Sequence, residues 1–189
     1  DELQAVIAVR EIAPDQFDPD SLIELPIQAP ELAHYNLPAG DWRLIAIWHV
    51  YSGGTIRGVH AEEDDKHALA PAAGDLLNPQ AVDCFIRLTH ERYYAHLHEH
   101  FGKTVVAMFT DEPSVLGRGT QRGPEPWPYT PGFFDELQPQ WGEDLLRWLP
   151  ALWLDFGPRG AQLRKLYEHA VYQRLERTFY AAQSRWCVA

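Results

Sequence analysis

FGKTVVAMFTDEP, residues 101–113, is the stretch of sequence from which the fold is predicted. Its centre, residues 104–109, is a nearly continuous apolar run, which is typical of a strand buried on both faces of a parallel sheet. Gly102 stands just before this run, where a glycine commonly ends a helix in the left-handed conformation. A helix, a glycine and a buried strand form half of a β/α unit, so we expect an α/β fold.

The helix before this strand is predicted from its cap and from the spacing of its apolar residues. Asn78 can accept a hydrogen bond from a free helix amide, and Pro79 suits the first helical position because it has no amide to satisfy. One stripe of residues then recurs every three or four positions: Val82, Phe85, Ile86, Thr89, Tyr93, Leu97 and His100. This spacing predicts one amphipathic helix between Asn78 and Gly102.

The first 74 residues are predicted to be rich in β-structure. Residues 5–9, 21–25 and 42–51 have the apolar or alternating patterns of strands, and Pro, Asp and Gly form turns between them. We expect a small β-meander that leads into one long buried strand at 42–51. The polar, glycine-containing stretch 52–74 predicts an exposed excursion.

Helices are expected to dominate the C-terminal part of the chain. One helix is predicted to begin after Thr130 and to end near Gly142, and residues 143–154 form a helical stretch that Pro150 interrupts. A further helix is predicted from about Arg159 to the end, with a length that is ordinary in the outer ring of a (β/α)8 barrel.

The composition excludes several classes of protein. The chain has 189 residues, of which 46% are hydrophobic, so it can bury a core and is not expected to be disordered. Its formal net charge of −11 disfavours nucleic acid or an anionic membrane as the main partner, because both repel an acidic surface. No apolar run is long enough to cross a bilayer, and two cysteines are too few for a disulfide scaffold.

Both ends of the sequence are unusual for a complete protein. The chain begins without an initiator Met or a signal peptide, and it stops at the largely apolar WCVA. We therefore expect a segment of a longer protein, and the sequence leaves the cellular compartment undetermined.

Asp111 and Glu112 follow the predicted buried strand and are the candidate catalytic residues. Parallel sheets place ligands and catalytic side chains at the carboxyl ends of their strands. Adjacent residues of an extended backbone point to opposite sides, so one carboxylate would face the pocket and the other would hold backbone or a cation. Pro113 fixes the turn that follows. Glu112 is then a partly buried general acid or base in hydrolysis; alternatively, the acidic pair caps a turn or pairs with Arg118 or Arg122.

Three further residues are candidates for binding a sugar. Trp127 and Tyr129 stand among prolines, and their flat apolar faces can stack on the C–H face of a pyranose ring. Alternatively, Trp127 only pins its loop to the rest of the fold. His49 lies late in the strand predicted at 42–51, where a neutral imidazole can hydrogen-bond a substrate hydroxyl or, equally, a group of the core.

The histidines of the sequence do not form a metal-binding pattern. His96, His98 and His100 are two residues apart along one helix, which separates neighbours by about 200° around the axis, so the three cannot converge. Only His96 and His100 share a face, and no Glu follows His96 as it does in zinc hydrolases of this spacing. The sequence also lacks a G-x-S-x-G elbow, a P-loop and a G-x-G-x-x-G loop.

Five short motifs of the sequence are considered as a set. They are LNPQAV at 77–82, FIRLTHERYY at 85–94, FGKTV at 101–105, FTDEPS at 109–114 and WPYTP at 127–131. Together they resemble the large bacterial glycoside hydrolases related to family 106, the α-L-rhamnosidase-like enzymes. The resemblance covers residues 75–189 well and the first 74 loosely, and FTDEP is its most specific motif. Leu76 departs from the aromatic residue that relatives often carry, and the acidic tract 62–65 has no counterpart in them.

This resemblance implies a fold and an activity. It implies part of a (β/α)8 barrel of TIM type, with a β-rich portion at residues 1–74 and a barrel segment with long outer helices at 75–189. It also implies a glycosidase that inverts at the anomeric carbon and uses a bound calcium ion. Glu112 would be the acid of the sugar site, and Asp111 would orient it or bind a cation. The second carboxylate would come from elsewhere in the longer protein, so we expect this segment to be inactive alone.

Two other functions remain open from the sequence. A non-catalytic carbohydrate-binding or structural module would use the same aromatic residues without a second carboxylate. A metal-dependent hydrolase would use Asp111 and the histidines. In the barrel interpretation, a partial barrel exposes strand edges and apolar helix faces, which predicts self-association of the chain.

Overall fold

The structure is a computed structural model, and it describes residues 1–27, 35–56, 62–63, 67–118 and 125–188. These residues form two compact units. The first unit contains Asp1–Tyr51 and Gly132–Ala170, and the second contains Ser52–Pro131 and Val171–Ala189. Asp64, Asp65 and Arg122, which appear in the sequence-based predictions, lie outside the described residues.

Along the described chain, all of the strands come before all of the α-helices. The strands are β1 Glu2–Ala13, β2 Gln16–Phe17, β3 Ile23–Leu25 and β4 Trp42–His49. The helices are α1 Pro79–Leu88, α2 His90–Leu97, α3 Phe133–Trp141, α4 Leu145–Trp148, α5 Gly157–Leu175 and α6 Ala181–Val188. A π-helical turn, Glu176–Tyr180, joins α5 to α6. In the part of the chain that the structure describes, no helix combines the length and apolarity needed to span a membrane.

The first unit is built on an antiparallel sheet around β1. β3 and β4 pair with opposite edges of β1, so that Ile7 lies opposite Glu24 on one side and Ile45 on the other. β2 pairs with the end of β1. The strands predicted at 5–9 and 42–51 are therefore confirmed, and the one predicted at 21–25 is shorter, because Pro19–Ser21 form a 3-10 turn.

β4 is not the buried strand that its apolar sequence predicted. Ile47 is buried, but Leu44 and Trp48, on the alternate face, are 61% and 54% exposed. Within the described residues, β4 pairs with β1 and with no other strand. Antiparallel sheets commonly pack one face on the core and leave the other to solvent, and this explains the half-exposed pattern.

The helices of the first unit follow their predicted local signals. α3 ends at Gly142, whose φ of 78° lies in the left-handed region. The stretch predicted at 143–154 is α4 followed by a 3-10 turn, Leu149–Leu152, which contains Pro150. α5 begins at Gly157, two residues before the predicted start at Arg159.

An arginine, a glutamate and two tryptophans join α3, α4 and α5. The guanidinium of Arg159 lies 3.9 Å from the centre of the Trp141 ring and 5.9 Å from that of Trp148. The two indole rings meet edge to face, with centroids 5.3 Å apart. The Glu143 carboxylate accepts hydrogen bonds from Trp148 Nε1, at 3.0 Å, and from Arg159. One side-chain cluster thus connects all three helices.

The helix predicted between Asn78 and Gly102 begins and ends as expected but is interrupted. Asn78 Oδ1 accepts a hydrogen bond from the N–H of Gln80 at 3.0 Å, and Gly102 has a left-handed φ of 73°. Thr89 separates α1 from α2, because its hydroxyl donates to the carbonyl of Phe85 at 2.7 Å and its ψ of −78° departs from helical values. A threonine that bonds back in this way commonly bends a helix.

The apolar core of the second unit forms between α1 and the C-terminal helical stretch. Val82, Ile86 and Phe179 are buried together there. The predicted apolar stripe is only partly covered, since Phe85, Tyr93 and Leu97 are 43%, 60% and 37% exposed.

Two buried polar side chains hold the chain just before α1. Arg174 Nε donates to the carbonyl of Leu77 at 2.8 Å, and the hydroxyl of Thr178 donates to the carbonyl of Leu76 at 2.7 Å. Both donors are less than one tenth exposed. Because a buried donor without a partner is costly, these bonds fix the entry into α1.

His90 lies at the buried centre of an aromatic cluster. Its ring meets Trp186 edge to face with centroids 5.0 Å apart, and Trp186 also meets Tyr94 and Phe101 at 6.1 and 6.3 Å. Burial disfavours the imidazolium and lowers the pKa of His90, and the polar side chain of Gln183 partly offsets this.

Residues 104–109 do not form the buried strand that their composition predicted. Val105 makes a single bridge with Phe101, and the following residues have irregular backbone. Val106 and Phe109 are 80% and 87% exposed. A buried parallel strand requires neighbouring strands, and the described residues of the second unit supply none. The (β/α)8 barrel as a whole stays a prediction.

Arg159→Ala is expected to lower the free energy of unfolding by about 1–2 kcal/mol, because it removes the contact over Trp141 and a partly exposed ion pair. Lys165→Ala, at an exposed position of α5, is the matched control and should change it by less than about 0.5 kcal/mol. Urea unfolding followed by tryptophan fluorescence measures both variants. Equal effects would show that the cluster does not stabilise the first unit.

The lowered pKa of His90 predicts a stability that depends on pH. Above about pH 6.5 both the folded and the unfolded state hold a neutral imidazole, and the contribution to stability is complete. As the pH falls below this value, the unfolded state binds a proton that the folded state does not, and stability falls until the folded pKa is reached. Urea unfolding at about pH 7.5 and about pH 5.5 measures this loss.

His90→Gln should remove most of this loss of stability, whereas His96→Gln, at an exposed position of α2, should leave it in place. An undiminished loss in the His90 variant would mean that other groups carry the pH dependence.

Candidate functional site

Asp111 and Glu112 lie in an exposed, irregular stretch of the second unit. Both side chains are exposed, and neither carboxylate forms a hydrogen bond or an ion pair within the described chain, Arg118 included. The prediction of a partly buried Glu112 at the end of a buried strand was wrong. The reason is that the apolar segment before it is itself unpaired and exposed.

Glu112 has an unusual backbone conformation. Its φ of 36° lies in the left-handed region, which costs a residue with a Cβ atom about 1 kcal/mol or more. Among the described residues the other non-glycine with a positive φ is Asp15, in the turn between β1 and β2. Pro113 follows Glu112 and restricts it further. The chain therefore holds Glu112 in a conformation that its residue type disfavours.

A close backbone contact at Gly117 anchors the loop that follows Glu112. Arg118 N donates to the carbonyl of Thr55 at 2.8 Å, and Thr55 N donates to the carbonyl of Arg118 at 3.0 Å. Gly117 has a φ of 75°, and a Cβ atom there would lie 2.7 Å from the Cβ of Ala73. Only glycine fits this position, so the loop is held close to Gly54, Thr55 and Ala73.

Trp127 and Tyr129 are half-buried in the segment that leads to Thr130. The Thr130 hydroxyl donates to Asp75 Oδ2 at 2.6 Å, and Asp75 Oδ1 accepts from the N–H of Leu77 at 3.0 Å. These bonds fasten the aromatic segment to the residues before α1. Trp127 and Tyr129 both interact with other residues of the protein. Such interactions are what the alternative role of Trp127, pinning its loop to the rest of the fold, requires.

His49 lies in the first unit, whereas the other four candidate residues lie in the second. It is the half-buried last residue of β4, opposite Glu2 of β1, and its ring centroid is 6.3 Å from that of Tyr51. The argument that placed His49 at a rim of carboxyl strand ends was wrong, because β4 runs antiparallel to its partner. Its role in binding a substrate hydroxyl stays a prediction.

The described residues contain no group of three or more His, Cys, Asp or Glu side chains that could hold a metal ion. The calcium ion implied by the family resemblance would need about six to eight oxygen ligands. Asp111 and Glu112 supply carboxylates without a third acidic side chain beside them in the described chain. On their own, these residues do not fit a calcium site. His96, His98 and His100 are all exposed.

A shallow groove of about 420 Å³ lies between α1, α2 and α6. Charged side chains of both signs surround its apolar floor: Asp83, Arg87, Glu91 and Arg185 around Ile86, Ala182 and Trp186. The groove includes none of the candidate residues predicted from the sequence. It is therefore a separate feature from the carboxylate pair and the aromatic segment.

Two residues that shape the candidate site were not predicted. Asp75 fastens the aromatic segment through Thr130, 55 positions away, and no local pattern indicates a contact of that span. Gly117 was one glycine of a glycine- and proline-rich loop, and its close contact with Ala73 depends on the folded backbone. The signal that the sequence offered at Gly117 was its residue type, because glycine adopts a positive φ readily.

Comparisons with protein-family models, with curated proteins and with solved structures found no match. The resemblance to the family 106-related glycoside hydrolases thus rests on the sequence motifs alone.

Glu112→Gly is expected to be more stable than Glu112→Ala by about 1 kcal/mol, because glycine enters the left-handed region without the steric cost that alanine retains. At Asp111, whose φ is not positive, alanine should instead be more stable than glycine by about 0.5 kcal/mol. Urea unfolding of the four variants measures both differences. The same order at both positions would contradict strain at Glu112.

Proposed function

We propose that this chain is a segment of a glycoside hydrolase of the α-L-rhamnosidase-like type, which cleaves O-glycosidic bonds by carboxylate acid/base chemistry. Glu112 is the acid or base of the reaction, and Asp111 orients it or binds a cation. Trp127 and Tyr129 shape the sugar subsite. In this proposal the chain is part of a longer protein, the parent protein.

The observation that carries the proposal is the conformation of Glu112. A non-glycine residue in the left-handed region persists only where the surrounding chain holds it, and such residues cluster at functional sites. Here Pro113 and the anchor at Gly117 hold the chain after Glu112. The carboxylate is exposed and has no partner in the described chain, so it is available to a substrate.

Hydrolysis of a glycoside needs two carboxyl groups at a defined separation. Inverting enzymes hold them about 6.5–9.5 Å apart and retaining enzymes about 5–5.5 Å apart. Asp111 is the neighbour of Glu112 in the chain, and in this proposal it supports Glu112 rather than acting from the opposite side of the sugar. The second reacting carboxylate then belongs to the parent protein, and this chain is inactive alone.

A non-catalytic carbohydrate-binding module is the second candidate. The observation that favours it is the pair Trp48 and Tyr51 at the end of β4, which are 54% and 82% exposed. Exposed aromatic rings offer flat apolar faces on which sugar rings stack. This function would need no second carboxylate and would not depend on Glu112.

Release of aryl alcohol from a panel of aryl glycosides, α-L-rhamnoside included, tests the proposal. The proteins compared are this chain, the parent protein, and the parent with Glu112→Gln or, as a matched control, Glu99→Gln, which changes an exposed carboxylate of the same unit. We expect the parent to cleave one sugar and Glu112→Gln to lose about a hundredfold or more, as for an acid/base group. Glu99→Gln should retain full activity, and this chain should be silent.

A parent that cleaves a glycoside equally well with Glu112→Gln would refute the role of Glu112. If no protein of the set cleaves any glycoside, the enzyme proposal fails. Sugar binding that survives Glu112→Gln but is lost in Trp48→Ala would then identify the binding module.

A further inference from the structure

The sheet of the first unit has an open edge along β4. Within the described residues, β4 pairs with β1 on one side and with no strand on the other. Leu44, Ala46 and Trp48 of this strand are exposed, the first and the last at 61% and 54%. An eight-residue strand with an open edge is a template for pairing with another strand.

Hydrogen bonds on the two sides of β1 show which residues of β4 bond to it. Glu11 N donates to the carbonyl of Asp41 at 2.9 Å, which continues the β1–β4 ladder by one pair. Arg10, the next residue of β1, uses its backbone on the opposite side. Its N–H donates to Ser21 Oγ at 2.9 Å, and its carbonyl accepts from Asp18 N at 3.0 Å. Because bonded and non-bonded pairs alternate along an antiparallel ladder, every second residue of β4, counted from Asp41, bonds to β1.

The residues between them direct their N–H and C=O groups to the open edge. They are Trp42, Leu44, Ala46 and Trp48, and none of these backbone groups has a partner in the described structure. Each residue contributes one donor and one acceptor. A continuous row of unpaired backbone groups thus runs along the whole strand.

The sequence of β4 lacks the features that usually protect an open edge. Proteins commonly block such an edge with a charged side chain, a proline, a bulge or a very short strand. The four outward-directed residues include no charged residue and no proline, and the irregularity of this ladder lies in β1, between Leu3 and Ala5. By contrast, β3 on the other side of β1 is three residues long and is followed by Pro26. β4 is therefore the edge that is open to pairing.

We propose that β4 pairs antiparallel with β4 of a second copy of this chain, about a two-fold axis at Ile45 and perpendicular to the sheet. In this register Trp42 lies opposite Trp48 of the other copy, and Leu44 lies opposite Ala46. The set of outward-directed residues therefore maps onto itself. Every open donor of one copy meets an open acceptor of the other, with two hydrogen bonds in each of these pairs.

The open backbone groups select this register. An axis one residue towards the C-terminus would place Trp42 opposite Val50, which lies beyond the end of β4. An axis one residue towards the N-terminus would place Trp48 opposite Gly40, which precedes the start of β4. The axis at Ile45 satisfies the whole row within the two strands. The row is thus complementary to a second copy of itself.

The side chains that meet in this register favour the pairing. Trp42 and Trp48 form an aromatic cross-strand pair at each end of the ladder, and Asp41 lies opposite His49. Asp41 is exposed and forms no ion pair in the described structure. Aromatic pairs and pairs of an acidic with a basic residue are combinations that stabilise antiparallel sheets.

The charge of Arg43, inside the paired stretch, is compatible with this register. Its guanidinium lies 2.8 Å from the Glu11 carboxylate and 5.0 Å from the centre of the Phe17 ring of its own chain. In the proposed register it lies opposite Ile47. An axis one residue towards the C-terminus would instead place it opposite His49, a second basic residue, which is unfavourable.

The two-fold axis also closes the assembly. It keeps the core faces of both copies on one side and joins the two sheets into one continuous sheet. An isologous interface uses the same patch on both copies and leaves no second patch of the same kind for further growth. The short β3 and Pro26 disfavour extension at the other edge. The expected product is therefore a dimer.

This inference does not rest on the proposed glycosidase function. Glu112 and the aromatic segment lie outside β4. The oligomeric state of the chain and the activity of the parent are measured separately, so either proposal can fail alone.

Disulfide formation between positions 44 and 46 tests the register. Both side chains are exposed, so cysteine at either position leaves the core intact. In a Cys84→Ser, Cys187→Ser background, L44C and A46C proteins are mixed, one of them enlarged by a tag. The proposed pairing places their Cα atoms about 5.5 Å apart, which suits a disulfide. With oxidised glutathione as the oxidant, we expect the mixed covalent dimer as the main product on a non-reducing gel.

Each cysteine protein alone is the control for this cross-link. Its cysteine lies diagonally from its own counterpart, at about 7–8 Å, so a covalent dimer should be a minor product. Self cross-linking of L44C as strong as the mixed product would overturn the antiparallel register. Absence of a covalent dimer from every mixture would overturn the pairing itself.

Proline at the open edge provides an independent test that requires no cross-link. Ala46→Pro removes an N–H that points away from β1, so the β1–β4 ladder should remain and far-UV circular dichroism should be unchanged. We expect the dissociation constant of the dimer to rise at least about tenfold, because each copy loses a hydrogen bond at the interface. Sedimentation equilibrium measures both proteins. An unsubstituted chain that is a monomer at high concentration, or an equally tight dimer of the folded variant, would overturn the proposal.

Discussion

Backbone hydrogen bonding is the constraint that organises this chain. In a folded protein nearly every buried amide and carbonyl must find a partner, and β1 meets this demand by pairing on both edges. The segment after Gly102 has an even more apolar sequence but no strand beside it in the described residues, and it stays irregular and exposed. The candidate carboxylates follow that segment, so their exposure is a consequence of its unpaired backbone.

The loop around Glu112 is nevertheless held from both directions. On its N-terminal side, the turn at residues 100–105 fixes Val105 through His100. On its C-terminal side, Gly117 packs against Ala73, and Arg118 pairs with Thr55. A short stretch between two fixed points can carry a strained residue, because relaxing it would disturb one anchor or the other. This is the physical basis for reading the conformation of Glu112 as a held feature of the chain.

Local signals in the sequence predicted the local structure well. Asn78 caps α1, Gly102 and Gly142 adopt left-handed conformations, and Pro150 falls at a change of helix type, because each effect depends on a residue and its near neighbours. Partners distant in sequence were not predictable in this way. The apolar composition of residues 104–109 indicated burial, but burial depends on neighbouring strands. Of the candidate site, the sequence predicted a partly buried Glu112, whereas its exposure and its positive φ depend on the folded backbone.

The π-helical turn, Glu176–Tyr180, holds one residue more than an α-helical turn of equal height. Removing one residue there would restore regular α-helix and leave the rotational phase of α6 nearly unchanged, because one full turn replaces another. Trp186 would then keep its place against the ring of His90. The buried side chains of the turn are more constrained than its length, because Phe179 belongs to the core of the second unit and the Thr178 hydroxyl donates to the carbonyl of Leu76.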